Sequence, residues 1–323
     1  TLVTKVGSDD VSLTSVVVAF DNATAGSGKT VSISSASLTG TKSANYSLSL
    51  TGAPTTTATI SQKTLTIGGS FTASDKEYNG SASASIATNS LTLVTKVGSD
   101  DVSLTSVVVA FATADAASGK TVSISSASLT GTKSANYSLS LTGAPTTTAR
   151  ITQKLVTIGG SFTASGKEYD GGSTASIATN SLTLTGVNGS DDVSLTSIVV
   201  VFADETAASG KTVSISSASL TGTKAANYDL SLTGAPTTTA TISQKTLTIG
   251  GSFTASDKVY SATTSASIAT NSLTLVTKVG SDDVSLTSVV VAFATADAAS
   301  GKTVSISSAS LTGTKSANYS LSL

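Results

Sequence analysis

The stretch "SGKTVSISSASLTGTK" (27–42) decides the fold twice over. Within it, Val31 and Ile33 alternate with Ser32 and Ser34. Period-2 alternation of apolar and hydroxyl side chains is the pattern of a strand with one buried face. The same sixteen residues then return at 118–133, 209–224 and 300–315. Asp9-Asp10 recurs as Asp100-Asp101, Asp191-Asp192 and Asp282-Asp283, and Tyr46 as Tyr137, Tyr228 and Tyr319, always in steps of 91 residues without insertion or deletion. A period of that length is too long for a solenoid coil, which takes about 20–50 residues. The spacing of Leu91, Leu104, Leu129 and Leu141 shows no finer regular period inside it. Each copy therefore reads as a closed domain.

The rest of a copy is β in the same way. "VSLTSVVVAF" (102–111) is rich in Val, "NYSLSLTG" (136–143) alternates Tyr137, Leu139 and Leu141 with serine, and "TTTARIT" (146–152) sets Ala149 and Ile151 on one side. "LVTIGGSFTA" (155–164) and "STASIATNSLTL" (173–184) complete the set, and glycine-bearing turns such as "TGTKSAN" and "TGAP" separate the runs. Six to eight short strands per copy predict an all-β chain, a tandem array of small antiparallel Greek-key β-sandwich domains. The segment "TISQKTLTIGG" (59–69) passes from one strand to the next with no Pro or Gly before Gly68, so the copies are expected to join without a flexible linker. The boundaries fall near Gln62, Gln153 and Gln244. They give a partial copy at 1–61 lacking its first strands, full copies at 62–152 and 153–243, and a copy at 244–323 lacking its last strand. The expectation is a segment cut from a longer array, with adjacent repeats end to end in a rod on the order of 100 Å at about 3.3 Å per strand residue. Self-association into a fibre is a further expectation.

Composition narrows the chemistry. The 323 residues carry 18 Lys+Arg against 19 Asp+Glu, a net charge of −1, with only 11% charged residues and no Cys, His, Met or Trp. The balance gives no reason to expect nucleic acid as partner. Without Cys there is no disulfide or thiolate site, and without His the commonest general base and metal ligand are missing. The apolar runs, such as "VVVAF", are too short to span a bilayer as a helix, so no membrane insertion is expected within these residues. No Gly-x-Ser-x-Gly elbow or Ser-x-x-Lys helix places a nucleophile, so no enzyme and no cofactor are expected.

The candidate metal ligands are the paired acids of "GSDDV", Asp100 and Asp101, joined by Asp115. Calcium needs six to eight oxygens. The third acid drifts between copies, from Asp21 in the first to Asp204-Glu205 in the third, so solvated turn acids are the preferred reading. The threonines of "PTTTATI" read as an exposed strand rather than an ice-binding ladder. Asn136 beside Tyr137, with Lys133 nearby, is a conceivable isopeptide set, but no buried acid is identifiable to complete it.

A second motif opens the full copies, Lys76-Glu77-Tyr78-Asn79-Gly80 and Lys167-Glu168-Tyr169-Asp170-Gly171, and becomes Lys258-Val259-Tyr260-Ser261-Ala262 in the last. After it come the Ser-Asp-Asp-Val-Ser-Leu segment, "VVVAF", "SGKTVSISSASLTGTKSANYSLSL" and "ATI", in that order. The whole series resembles the YDG domain, a β-rich repeat of large bacterial secreted and surface proteins, often of filamentous-haemagglutinin type. The resemblance implies an extracellular, cell-surface setting and a stalk, fibre or spacer role in adhesin-like proteins, without enzymatic activity. The alternative is a multivalent adhesive module with one weak glycan or protein site per copy. The departure at Ser261-Ala262 favours a structural reading of the motif, with the tyrosine in the core and Asn/Asp-Gly as a turn.

Overall fold

A computed structural model describes all residues 1–323. It consists of strands, turns and four short 3₁₀ turns, and no helix in it is long and apolar enough to cross a membrane. The chain divides into two compact units, Thr1–Thr152 and Gln153–Leu323.

The first unit begins with β1 (Ser12–Phe20), β2 (Gly26–Thr39) and β3 (Thr55–Ile60), which form one antiparallel three-stranded sheet. A full copy follows: β4 (Lys63–Ala73), β5 (Lys76–Glu77), β6 (Ile86–Val94), β7 (Ser103–Phe111), β8 (Ala117–Thr130), β9 (Tyr137–Ser140) and β10 (Thr146–Thr152). These make two sheets, in the orders β6-β4-β9 and β5-β10-β8-β7. The chain crosses between the two sheets at every step except the β7–β8 hairpin. Antiparallel pairing predominates, but each full copy also holds two parallel pairs, β4 with β9 and β5 with β10. Those parallel pairs make the sheets mixed, a feature that alternation of side chains does not reveal.

The second unit repeats the plan. Its third copy has β11 (Lys154–Ala164), β12 (Lys167–Glu168), β13 (Ile177–Thr185), β14 (Ser194–Phe202), β15 (Ala208–Thr221), β16 (Tyr228–Ser231) and β17 (Thr237–Ser243). Its fourth has β18 (Lys245–Ala255), β19 (Ser265–Ala266), β20 (Ile268–Val276), β21 (Ser285–Phe293), β22 (Val304–Thr312) and β23 (Tyr319–Ser322).

The alternation seen in sequence is what builds the core. Val213 is fully buried and Ile215 nearly so, while Ser214 between them and Ser216 after them are less buried. Ile158 and Phe162 of the opposite sheet close over them together with Val200, Phe202 and Ile242. Gly160 breaks the run at φ +76°, and a Cβ there would lie 2.2 Å from the Ser181 carbonyl oxygen, so the close strand approach needs glycine. The strands β1, β7, β14 and β21, the first three of them at sheet edges, each carry a bulge, at Ser15, Ser106, Ser197 and Ser288, all with φ near +50°. Bulges of this kind twist an open edge away from further pairing.

Candidate functional site: the junction between copies

The connection from the third copy to the fourth is one residue long: β17 ends at Ser243 and β18 starts at Lys245. The intervening Gln244 is pinned, its Nε2 donating to the Ala317 carbonyl at 2.9 Å. So short a link sets the fourth copy's acidic loop and its Asn318-Tyr319 turn against the third copy's Lys167–Gly171 loop.

At the centre stands Asp282. Its Oδ2 accepts from the hydroxyl of Tyr319 in its own copy at 2.7 Å and from the hydroxyl of Tyr169 in the preceding copy at 2.8 Å. The Tyr319 hydroxyl in turn accepts from the Val279 backbone N–H at 3.0 Å. The two rings meet edge to face with centroids 5.3 Å apart. Tyr169 is 1% exposed and Tyr319 3%. Burial comes first, then the hydrogen bond to Asp282, in pushing the Tyr319 hydroxyl up to about 12; the same causes raise Tyr169. Both therefore stay protonated donors across the neutral range.

Further groups close the junction around this centre. Asn318, itself buried, accepts from the Ala207 N–H of the third copy at 2.8 Å. Two ion pairs cross as well, Glu168–Lys245 at 2.7 Å and Glu205–Lys315 at 2.9 Å. Lys315 holds the Glu205 carboxyl below the usual range. The hydrophobic core does not stop at the copy boundary: Leu247, Val284 and Tyr319 of the fourth copy pack in one cluster with Ile158, Phe162 and Tyr169 of the third.

The Lys-Glu-Tyr motif is the device that aims this tyrosine. Lys167 Nζ donates to Asp170 Oδ1 and to the Gly172 carbonyl, both at 2.7 Å, and sits 5.9 Å from the Phe202 ring centroid. Asp170 also accepts from the Gly172 N–H, an Asx turn, and these bonds hold its carboxyl low. Gly171 follows at φ +80°. Lys76 does the same work with Asn79 and the carbonyls of Ser81 and Ser83, and Gly80 turns at φ +77°. Tyr78 is buried like Tyr169. Lys258 ties its own loop through Ser261 and Thr263, so the lysine's role survives the loss of Asp and Gly. There Tyr260 is 62% exposed. Lys167–Glu168 pair in parallel with Ile242–Ser243, and residues 258–259 have no such strand to pair with.

The acids singled out in the sequence divide by role. Asp100 accepts from Tyr137 at 2.6 Å, as Asp282 does from Tyr319. Asp101 caps the next turn, accepting from the Thr132 N–H at 2.8 Å and its hydroxyl at 3.0 Å, bonds that lower its pKa. Asp115 does not complete a cluster with them, since no three acidic side chains gather anywhere in the chain. Asn136 accepts from the Ala25 N–H of the first copy at 2.9 Å, so it too belongs to a junction. What the sequence did not disclose is that Tyr169 and Asp282, 113 positions apart, belong to one site. The only signal available was the recurrence of both motifs at one fixed distance.

These features define a tandem all-β array whose third and fourth copies share core and hydrogen bonds and whose first and second copies are joined by the Asn136–Ala25 bond. The YDG domain model matches residues 1–58, 61–149, 152–240 and 243–323, and the chain belongs to the YDG domain family. No curated protein and no solved structure gave a match.

Proposed function

We propose that this chain is a non-enzymatic structural repeat region of an extracellular bacterial surface protein of the adhesin-like, filamentous-haemagglutinin type, a stalk or fibre that projects or scaffolds other domains. The observation that carries the reading is the junction of Tyr169, Asp282 and Tyr319 behind a one-residue connection. Buried side chains that a binding or catalytic domain would turn toward a ligand are here turned toward the next copy. A junction with shared core, a buried acceptor and two ion pairs resists bending, and repetition then converts each added copy into length. Adjacent copies end to end are the principal partners in this reading.

Small-angle scattering on the chain and on versions lengthened by whole copies tests it. The maximum dimension is expected to rise linearly with copy number. Growth as the square root of copy number, as for a flexible linker, would overturn the stalk.

A further inference from the structure

We propose that Asn79 is a self-modifying residue: the loop of the second copy converts it to aspartate by cyclisation onto Gly80 and hydrolysis, without an enzyme. The second copy thereby acquires the Lys–Asp pair that the third copy carries in its sequence.

The chain holds two Asn-Gly pairs, Asn79-Gly80 and Asn188-Gly189. Glycine after asparagine favours cyclisation because no Cβ shields the attacking nitrogen. The dipeptide is the same in both places, and the surroundings are not. Asn79, Gly80 and Ser81 are exposed. Gly80 turns at φ +77° with open space where a Cβ would stand, and its N–H donates to no backbone carbonyl. Asn79 Oδ1 accepts from the Ser81 N–H at 3.1 Å, and this Asx turn closes a ring that contains both the Asn79 Cγ and the Gly80 nitrogen. The same Oδ1 accepts from Lys76 Nζ at 2.9 Å. The ammonium is itself fixed by the carbonyls of Ser81 and Ser83, at 2.6 and 3.0 Å. Two oriented donors on one carbonyl oxygen, one of them charged, stand ready for the negative charge that grows there during attack on Cγ.

Asn188 is half-buried and held from three sides. Its N–H donates to the Tyr228 hydroxyl at 2.9 Å, its carbonyl accepts from the Asp191 N–H at 3.0 Å, and its Oδ1 accepts from Lys154 Nζ on β11. Its side chain is thus drawn to the neighbouring strand.

In the reaction the Gly80 nitrogen loses its proton to solvent base and bonds to Asn79 Cγ. The Cγ–Nδ2 bond breaks, and Nδ2 leaves as ammonia with a proton from water. Water then adds to the cyclic imide and opens it, restoring the N–H of Gly80 and leaving an acid at residue 79 that ionises. Nothing is oxidised or reduced, and water is the one co-reactant. Opening at Cγ gives aspartate, and opening at the main-chain carbonyl of residue 79 gives isoaspartate. Lys76 and the Ser81 N–H act on the Cγ oxygen, so they direct water to Cγ. The third copy shows that the aspartate fits. Asp170 stands 91 positions on, and its Oδ1 accepts from Lys167 Nζ at 2.7 Å and from the Gly172 N–H at 2.9 Å, the counterparts of Lys76 and Ser81. The lysine bond becomes one between opposite charges, which tightens the loop beside the buried Tyr78.

Incubation of the whole chain in neutral buffer, with peptide mapping by mass spectrometry over a time course, tests the proposal against the free peptide SDKEYNGSASA (residues 74–84). Asn79 in the chain is expected to react at least as fast as in the peptide. Asn188 is expected to be slower by about tenfold or more, since it reacts only when its segment opens. The chain should yield mainly aspartate and the peptide mainly isoaspartate. Lys76→Met should slow the chain's reaction about tenfold, short of the loss of about a hundredfold or more in a water-excluded enzyme site, because this loop is exposed. If the loop loosens without its lysine, the product ratio should instead become that of the peptide. An Asn79 that outlasts the peptide's, or that reacts no faster than Asn188, overturns the proposal. So does isoaspartate as the chain's main product, or a Lys76→Met chain that matches the parent in both rate and product.

Discussion

The junction inside the first unit and the junction inside the second are built from the same residues, yet one is open and the other filled. In the second unit Asp282 serves two tyrosines, and Glu168 and Glu205 pair with Lys245 and Lys315 across the copy boundary. In the first unit Asp100 faces Tyr137, and Asn136 still takes the Ala25 N–H, but the first copy has no counterpart of Glu168 or Tyr169 in this chain. A cleft of about 500 Å³ lies there, lined in part by Ala23, Ala25, Ile60, Asp100, Lys133 and Tyr137. The first copy is changed throughout by what it lacks. Without a counterpart of β11 and β13, Val18 is 59% exposed and Phe20 39%, while Val200 and Phe202 are 3% and 2% exposed. Tyr46–Ser49 is not a strand, although the same tetrapeptide at 137–140 is, because that segment needs β4 or its equivalent as parallel partner. Identical sequence therefore takes different structure according to its neighbours, and strand character here resides in pairing more than in propensity.

The comparison can be broken most directly by opening the closed junction. Tyr169→Ala is expected to cost about 3–5 kcal/mol, the usual range for deleting a large buried ring. Amide hydrogen exchange should quicken around Val279 and Tyr319, and exchange around Val97 and Tyr137 should stay unchanged. Equal quickening at both places would mean that the two junctions are not independent.

Removing the acceptor comes next. Asp282→Ala leaves two buried tyrosine hydroxyls without it and is expected to cost about 2–4 kcal/mol. Asp100→Ala removes the acceptor of Tyr137 and should cost roughly half as much by the same reasoning. Denaturant unfolding of the two variants measures both, and equal losses would contradict the difference drawn between the junctions.

Alkaline pH probes the closed junction without first opening it. The folded Tyr319 hydroxyl titrates at about 12, above its ordinary value of 10.0. A raised pKa means that its contribution is fully present below pH 10.0 and is lost as the pH climbs through about 12. Tyr169 shifts in the same direction. Tyrosinate absorbance should therefore show late-titrating groups that Tyr169→Phe and Tyr319→Phe remove. If both variants leave the titration unchanged, the hydroxyls do not sit in a buried junction.

The smallest effect concerns the Glu205–Lys315 ion pair, whose acid is replaced by Ala23 in the first copy. Glu205→Ala gives the third copy the alanine that the first has at Ala23, and it should lower the unfolding midpoint only slightly, as exposed pairs do. The loss should fade in high salt. A larger, salt-insensitive loss would show that Glu205 is doing more than pairing with Lys315.

Much of this was readable before the structure. Val122 and Ile124 alternate with serine, and they are buried in a strand; "LVTIGGSFTA" runs as β11 with Val156, Ile158 and Phe162 inward. The parallel pairs were not readable, because alternation reports which face is buried and not the direction of the neighbour. Nor was the bulge at Ser106, where a serine takes a left-handed backbone that no sequence rule requires of it. Thr95 and Thr277 also have positive φ, and here the third copy's Gly186 was a clue, since glycine is the residue that such a position favours. The site was hidden for a different reason. In a periodic chain a contact within a copy and a contact to the next copy look alike, so the burial of Tyr169 was foreseeable while its partner was not.

A double-mutant cycle between Tyr169→Phe and Asp282→Ala, measured by denaturant unfolding of the whole chain, tests the central claim that a hydrogen bond joins one copy to the next. A coupling of about 1 kcal/mol or more is predicted, because the two groups share one buried bond. Losses that add within about 0.3 kcal/mol would contradict it.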